Sequence, residues 1–100
     1  MEPEAQMLDL VYATGCSELS RSRFQRASEV FRFMTMLAPS DERGWLGLGD
    51  AHLEAGHVDV AILVLKIGVR LASPNTRCQL GLEALVALSE DEHHTDKMSA

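Results

Sequence analysis

Residues 44–68 read GWLGLGDAHLEAGHVDVAILVLKIG. Glycines at 44, 47, 49 and 56 invite a phosphate-cradling loop, and the apolar run behind them invites a buried strand. The spacing argues against both. A dinucleotide fingerprint needs G-x-G-x-x-G between a strand and a helix. Here His52 stands at the third glycine position, and no strand pattern precedes Gly47. A P-loop needs Gly-Lys-Ser/Thr, but Asp50 follows Gly49 and its carboxylate would repel phosphate. The segment VDVAILVLKIGVRL, 58–71, is β-branched and apolar on nearly every side. Taken alone it could be a strand, but its length without a turn signal favours a helix. A helix apolar all round must be covered on all sides, which places 58–71 centrally or against a partner.

A repeat explains the glycines better. Pro39 and Pro74 lie 35 residues apart, a period typical of helical repeats. Shifting the chain by 34 residues lays Gly15 on Gly49, Ala27 on Ala61, Phe31 on Leu65 and Val11 on Trp45. Each unit reads as a helix pair. Pro3 and Glu4 open the first helix, which carries Leu8, Val11, Tyr12 and Gly15 on one stripe. Phe24, Ala27, Phe31 and Met34 stripe the second, which ends before Pro39. Ser40 is the expected N-cap of a third helix over 41–55, with Gly56 as its stop. A fourth covers 58–72. Ser73 and Pro74 read as N-cap and first helical position of a fifth, 75–89, carrying Leu80, Ala84 and Leu88. The polar stretch 90–100 is expected to be a flexible tail. The domain is thus 1–89, with repeats at about 8–39 and 41–73 and a partial third or capping helix at 75–89.

These matches resemble the tetratricopeptide repeat, a 34-residue helix–turn–helix unit. Trp45, Leu48, Gly49, Gly56, Ala61 and Leu65 stand where that family places its aromatic, Leu-Gly pair, turn glycine, small residue and large apolar residue. His52 replaces the usual tyrosine, Gly68 replaces a small residue that is usually alanine, and the proline comes one residue late. In the first unit Gly15, Ala27, Phe31 and Pro39 match, while Thr14 replaces a leucine. Across 24–68 the chain is similar to the class II chaperones of bacterial type III secretion, the SycD/LcrH-like group. Asp41, Arg43, Trp45, Leu46-Gly47-Leu48-Gly49, Gly56, Asp59, Ala61-Ile62 and Gly68 carry that likeness. Those chaperones carry three full repeats and an N-terminal extension. This chain, with about two and a half, is closer in size to the chaperones of needle subunits or other early-secreted proteins.

The resemblance implies an all-α fold of about five helices in a short right-handed superhelix. It implies a client-binding groove on the first helix of each unit. The inward positions are Tyr12, Cys16 and Leu19, then Arg43, Leu46, Asp50 and Leu53, then Leu82, Leu85 and Leu88 after a one-residue shift. Gly15, Ala27, Trp45, Gly49, Ala61 and Gly68 are the helix-packing positions. Repeat domains that grip acidic C-terminal peptides use a lysine–asparagine clamp; neither residue occurs at these positions, so an amphipathic or apolar client segment is expected instead. The all-round apolar 58–71 points to a second partner, a co-chaperone or another copy of the chain. The rival function is a generic cytosolic adaptor built on the same repeat.

Composition narrows the classes further. The chain has 100 residues, 46% of them hydrophobic, enough for one small domain. Net charge is −6, with no basic run and only five aromatics, so nucleic acid is not an expected partner. The longest apolar run, 60–65, is too short to span a membrane, and the acidic start does not read as a secretory signal, so a bacterial cytoplasmic location is expected. Cys16 and Cys78 read as reduced, largely buried thiols. No nucleophile–base pair marks an enzyme, and no cofactor is expected. His52 and His57, five apart, share no helix face, and with His93 and His94 they do not form a metal pattern. Asp50 and Glu54, four apart, read as a solvated or groove-rim pair. Met7, Met34 and Met36 read as core or flexible contact residues.

Overall fold

The computed structural model describes the backbone of residues 4–99 and the side chains of 4–90. Among these residues the chain forms five α-helices: α1 (Ala5–Ser20), α2 (Phe24–Leu37), α3 (Glu42–Glu54), α4 (Val58–Leu71) and α5 (Thr76–Ser99). Each packs on the next. In addition α1 touches α3 and α3 touches α5. Among the described residues no comparable contact joins α2 to α4. The helices therefore form two layers. The odd-numbered layer is drawn together and the even-numbered layer is splayed, which curves the stack with α1, α3 and α5 on the inside.

The hydrophobic pattern sets this arrangement. In α2 the stripe Ala27, Phe31 and Met34 is wholly inaccessible to solvent. In α4, Ala61, Val64, Leu65 and Gly68 are buried. The helix expected from 58–71 forms, but it is not covered on all sides: Val60, Leu63 and Leu71 stay exposed. The first core cluster joins Ala27, Phe31, Leu48, Ala51 and Val64, with Tyr12, Cys16, Leu19 and Trp45 packed on it. The second joins Ala61, Leu65, Cys78 and Leu85, with Leu46, Leu53 and Leu82 against it. Met34 is core, whereas Met7 and Met36 are exposed.

The 34-residue period holds in space. A methyl placed on Gly15 would stand 2.6 Å from the Phe31 ring, and one on Gly49 would stand 3.3 Å from Leu65. These are the same contact one period apart. The relation also reaches across units. A methyl on Gly47 would enter the same Phe31 ring, and one on Gly81 would lie 3.4 Å from Leu65. Phe31 and Leu65 are thus each clasped by a glycine of their own unit and a glycine of the next. Gly68 owes its lack of a side chain to Trp45 Cβ, 2.7 Å from where a methyl would sit, and to Cys78 Sγ at 2.9 Å.

The two intra-unit turns are equivalent as well. After α3, Gly56 adopts φ +88, its N–H donates to the Leu53 carbonyl, and the His57 N–H donates to the His52 carbonyl. After α1, Ser22 adopts φ 59, its N–H donates to Leu19, and the Arg23 N–H donates to Glu18. Both are Schellman turns. Ser22 holds the left-handed conformation that glycine holds one period later.

Three boundary expectations are corrected. The N-cap of α3 is Asp41, not Ser40: its carboxylate accepts from the Arg43 N–H. Pro74 is not the first residue of a helix. The Ser73–Pro74 peptide is cis, the Ser73 N–H donates to the Ser40 carbonyl, and helical bonding begins at the Asn75 carbonyl, which accepts from Gln79. Finally, α5 runs to Ser99, past the end expected at Ser89, so the stretch expected to be a flexible tail is helical as far as that residue.

Candidate functional site

The inner layer presents equivalent positions of α1, α3 and α5 in rows one period apart. The first row is Asp9, Arg43 and Arg77. Arg43 Nη1 donates to Asp9 Oδ1 at 2.9 Å, and Nη2 and Nε donate to the Asp41 carboxylate at 2.9–3.3 Å. The guanidinium carbon stands 5.2 Å from the centre of the Tyr12 ring, within range of a cation–π contact. These partners hold the Arg43 pKa above its ordinary value, chiefly through the hydrogen bonds to Asp41 and then Asp9. The same hydrogen bonding to Arg43 holds the Asp41 carboxyl below the usual range. Arg77 Nε lies 3.9 Å from Glu42 and is largely exposed. This end of the layer opens into a cleft of about 690 Å³ between Leu8, the 37–43 turn, Ser73, Pro74 and Arg77.

The second row is Tyr12, Leu46 and Leu80. Tyr12 lies 6.1 Å from Phe31, ring centre to ring centre. Its pKa is raised by hydrogen bonding to Cys16 first and by burial second. Leu46 reaches α5, where its Cδ2 lies 3.8 Å from a methyl position on Gly81. Leu80 is 61% exposed. The third row is Cys16, Asp50 and Ala84. Asp50 keeps much of its surface in solvent, yet burial of the carboxyl end, and then Glu54 one turn on, raise its pKa. Leu19, Leu53 and Ala87 complete the layer.

Of the residues expected in the groove, Tyr12, Cys16, Leu19, Arg43, Leu46, Asp50 and Leu53 lie in these rows. All but Asp50 are half-buried. The α5 set is corrected. Cys78, Gly81, Leu82 and Leu85 follow Gly44, Gly47, Leu48 and Ala51 by the unshifted period, and Cys78 and Leu85 are core residues. Leu82 packs on the second cluster, and the exposed Leu88 follows Glu54 rather than Leu53. Sequence reasoning missed Asp9, Arg77, Leu80, Ala84 and Ala87 in these rows, and of these Leu80 is the large exposed apolar one. The late proline had implied a one-residue shift, but that residue is taken up in the turn, since N-caps Asp41 and Asn75 keep the period.

The expected packing residues Gly15, Ala27, Gly49, Ala61 and Gly68 are buried. Trp45 is half-buried, and its Nε1 donates to the Pro39 carbonyl at 2.8 Å. Both thiols are free. Burial, then the Glu42 charge, pushes Cys78 up to about 11, so it is a packing group rather than a reactive one. A second apolar surface lies away from the groove, where Leu10, Val11, Thr14, Val30 and Phe33 line a shallow hollow between α1 and α2. No helix among the described residues is long and apolar enough to cross a membrane.

No protein-family model and no curated protein matches this sequence. Solved structures do. The type III secretion translocator chaperone SycD of Yersinia enterocolitica superposes with a TM-score of 0.76 at 21% identity, covering 87% of this chain and 65% of SycD. SycD in complex with a peptide of the translocator YopD superposes with a TM-score of 0.73, again at 21% identity, covering 87% of this chain and 66% of that one. The chain therefore spans just under two thirds of the length of these neighbours. At this identity the likeness establishes architecture: the protein has an all-α, tetratricopeptide-like fold of helix–turn–helix repeats.

Proposed function

We propose that this protein is a cytoplasmic, non-enzymatic chaperone of type III secretion that holds an apolar segment of a secreted client against its inner layer. The observation that carries this reading is the row Tyr12, Leu46 and Leu80: partly exposed apolar surface on the concave side of a fold shared with a secretion chaperone. The client's apolar area would leave water on docking, and mass action would favour the bound, unassembled client. The net charge of −6 would help keep the complex in solution. Release for secretion requires that capture be reversible.

We take the client to be a hydrophobic translocator, because one neighbour of this fold is bound to a translocator peptide. A needle subunit or another small early-secreted protein is the second reading, resting on the count of about two and a half repeats, whereas the Asp41, Arg43 and Gly47 pattern goes with the translocator-chaperone likeness. The exposed edge of α4, Val60, Leu63 and Leu71, is proposed to meet a second partner, a co-chaperone or another copy of the chain.

The test is co-purification from the producing bacterium, followed by titration with the candidate client segments. Leu80→Glu should weaken client binding at least ~10-fold, the equivalent of about 1.4 kcal/mol, with far-UV helicity and urea midpoint unchanged because Leu80 is exposed. Leu46→Glu and Leu53→Glu should do the same at some cost in stability. Recovery of a needle subunit instead of a translocator reassigns the client. Recovery of soluble signalling proteins alone would support a generic adaptor and sink the secretion reading.

A further inference from the structure

His52 and His57 are five residues apart and belong to different helices, which is why their spacing gives no metal pattern. The Schellman turn brings them together. His52 is the third residue from the C-cap of α3, and His57 is the second residue beyond that cap. These are the two positions whose side chains meet when such a turn closes. Their backbones are joined by the His57 N–H to His52 carbonyl bond of 2.8 Å, and Gly56 at φ +88 fixes the path between them. The ring centres lie 5.7 Å apart, and the two Nδ1 atoms face each other at 3.5 Å.

That separation is long for an N–H···N hydrogen bond, whose donor–acceptor distance is ordinarily about 3 Å. It is close to the bite of a tetrahedral ion: two nitrogens at the zinc–imidazole bond length stand about 3.3 Å apart across the tetrahedral angle. We propose that His52 and His57 form a two-nitrogen site for a divalent ion of the zinc class, prearranged by the turn. Both ligands are imidazole nitrogens, which suit zinc and its borderline neighbours over calcium or magnesium. The ion would keep its remaining positions for water or an outside donor. Among the described residues no group of three or more metal-binding side chains is present, and the site itself is an open pair. Burial, and then the neighbouring His57, hold the His52 pKa below its ordinary value, which favours the neutral ring that a metal requires. This site lies at the α3–α4 turn and does not depend on the client reading.

The experiment is a Zn²⁺ titration of the full chain by calorimetry, with the imidazole resonances followed by NMR. The wild-type chain should take up one ion, with the His52 and His57 resonances shifting first, and its thermal midpoint should rise with Zn²⁺. His52→Gln and His57→Asn should each abolish that uptake and the midpoint shift. Asn also caps helices well, so His57→Asn is expected to stay folded. The double variant His93→Gln/His94→Gln and the variant Cys16→Ser should both retain the uptake. Binding should fall as pH drops through the imidazole range, because protons compete for the same lone pairs. Uptake that survives His57→Asn and disappears in the His93/His94 variant would overturn the proposal. So would the absence of saturable uptake by the wild-type chain.

Discussion

Gly47→Ala should destabilise the protein, although alanine is the better helix former. Replacing a mid-helix glycine by alanine gains about 1 kcal/mol in propensity. Against that gain, the new methyl would enter the Phe31 ring. The ring is wholly buried and has little room to move, because the Gly15 backbone also lies so close that a methyl there would stand only 2.6 Å from it. Overpacking of this kind costs about 1–3 kcal/mol, and a rigid, wholly buried ring packed against two helix backbones belongs at the upper end. The net loss is about 2 kcal/mol, which in a domain of this size lowers the midpoint by roughly 8–16 °C. Gly49→Ala is the control. Its methyl would meet the Leu65 side chain, Cδ2 and Cγ, at 3.3 Å and the Ala61 carbonyl at 3.8 Å, contacts a small shift relieves, so the propensity gain should leave stability equal or up to ~1 kcal/mol higher. Phe31→Leu rebuilds the geometry that Leu65 already has between Gly49 and Gly81. Adding Gly47→Ala to Phe31→Leu should therefore cost close to nothing, a coupling of roughly 2 kcal/mol in a double-mutant cycle. Urea unfolding followed by far-UV circular dichroism reads all four variants. A Gly47→Ala protein as stable as wild type, or a Gly49→Ala protein less stable than Gly47→Ala, would refute the clasp.

Ser22→Gly should stabilise, because Ser22, alone among the described non-glycine residues, carries a left-handed φ, in a turn where its periodic equivalent is Gly56. Relief of that strain, less the entropy of a glycine, is about 0.5–1 kcal/mol and is read as a higher urea midpoint. Asp50→Asn tests the groove's electrostatics. Asp50's raised folded pKa means that its charge opposes folding: the stability it contributes is complete below the unfolded value and is lost as pH rises through the folded one. The asparagine variant should be slightly more stable at pH 7, by no more than ~0.5 kcal/mol after solvent screening. Its advantage should shrink as pH falls toward 4, as read by midpoints across that range; an advantage that grew on acidification would contradict the shift.

The period was legible because the clasp demands it. Gly15 with Phe31 and Gly49 with Leu65 are one contact made twice, so the chain repeats small and large residues at a fixed distance. Gly47 was legible only as a pattern. Its partner lies in the preceding unit, and a spacing that aligns equivalent residues does not reveal which non-equivalent ones touch. The α5 register was misread for a local reason: Pro74 sits one residue late, while the N-cap, the buried Cys78 and Leu85, and Gly81 all keep the period. Prolines tolerate such shifts in turns, whereas a buried helix face does not. Ser22 gave no turn signal because serine rarely takes the left-handed conformation that the Schellman geometry imposes here. The histidine pair was hidden by reading helical faces when a turn joined the two residues.

Within α3 the groove and the fold draw on different residues. Gly44, Gly47, Leu48, Gly49 and Ala51 are buried and hold α2 and α4, whereas Leu46, Asp50 and Leu53 keep surface on the inner side. On the proposed client reading, substitutions at 46, 50 and 53 would alter the docking surface at less cost to the core than substitutions at the five buried positions, although Leu46 and Leu53 also pack on the second cluster. Arg43 breaks this division. It stands in the groove register, but its donors are already committed to Asp41 within its own helix cap and to Asp9 on α1. The Asp9 pair is two-thirds exposed on the acid side and worth little alone. The Asp41 fork and the Tyr12 face fix the guanidinium in place before Asp9 meets it, so little side-chain entropy remains to be lost. Arg43 thereby ties the N-cap of α3 to Asp9 and Tyr12 on α1, beside the surface that carries Tyr12 and Leu46. A lysine there would keep the charge but not the fork, so its effect should fall on the groove's shape and not on its polarity.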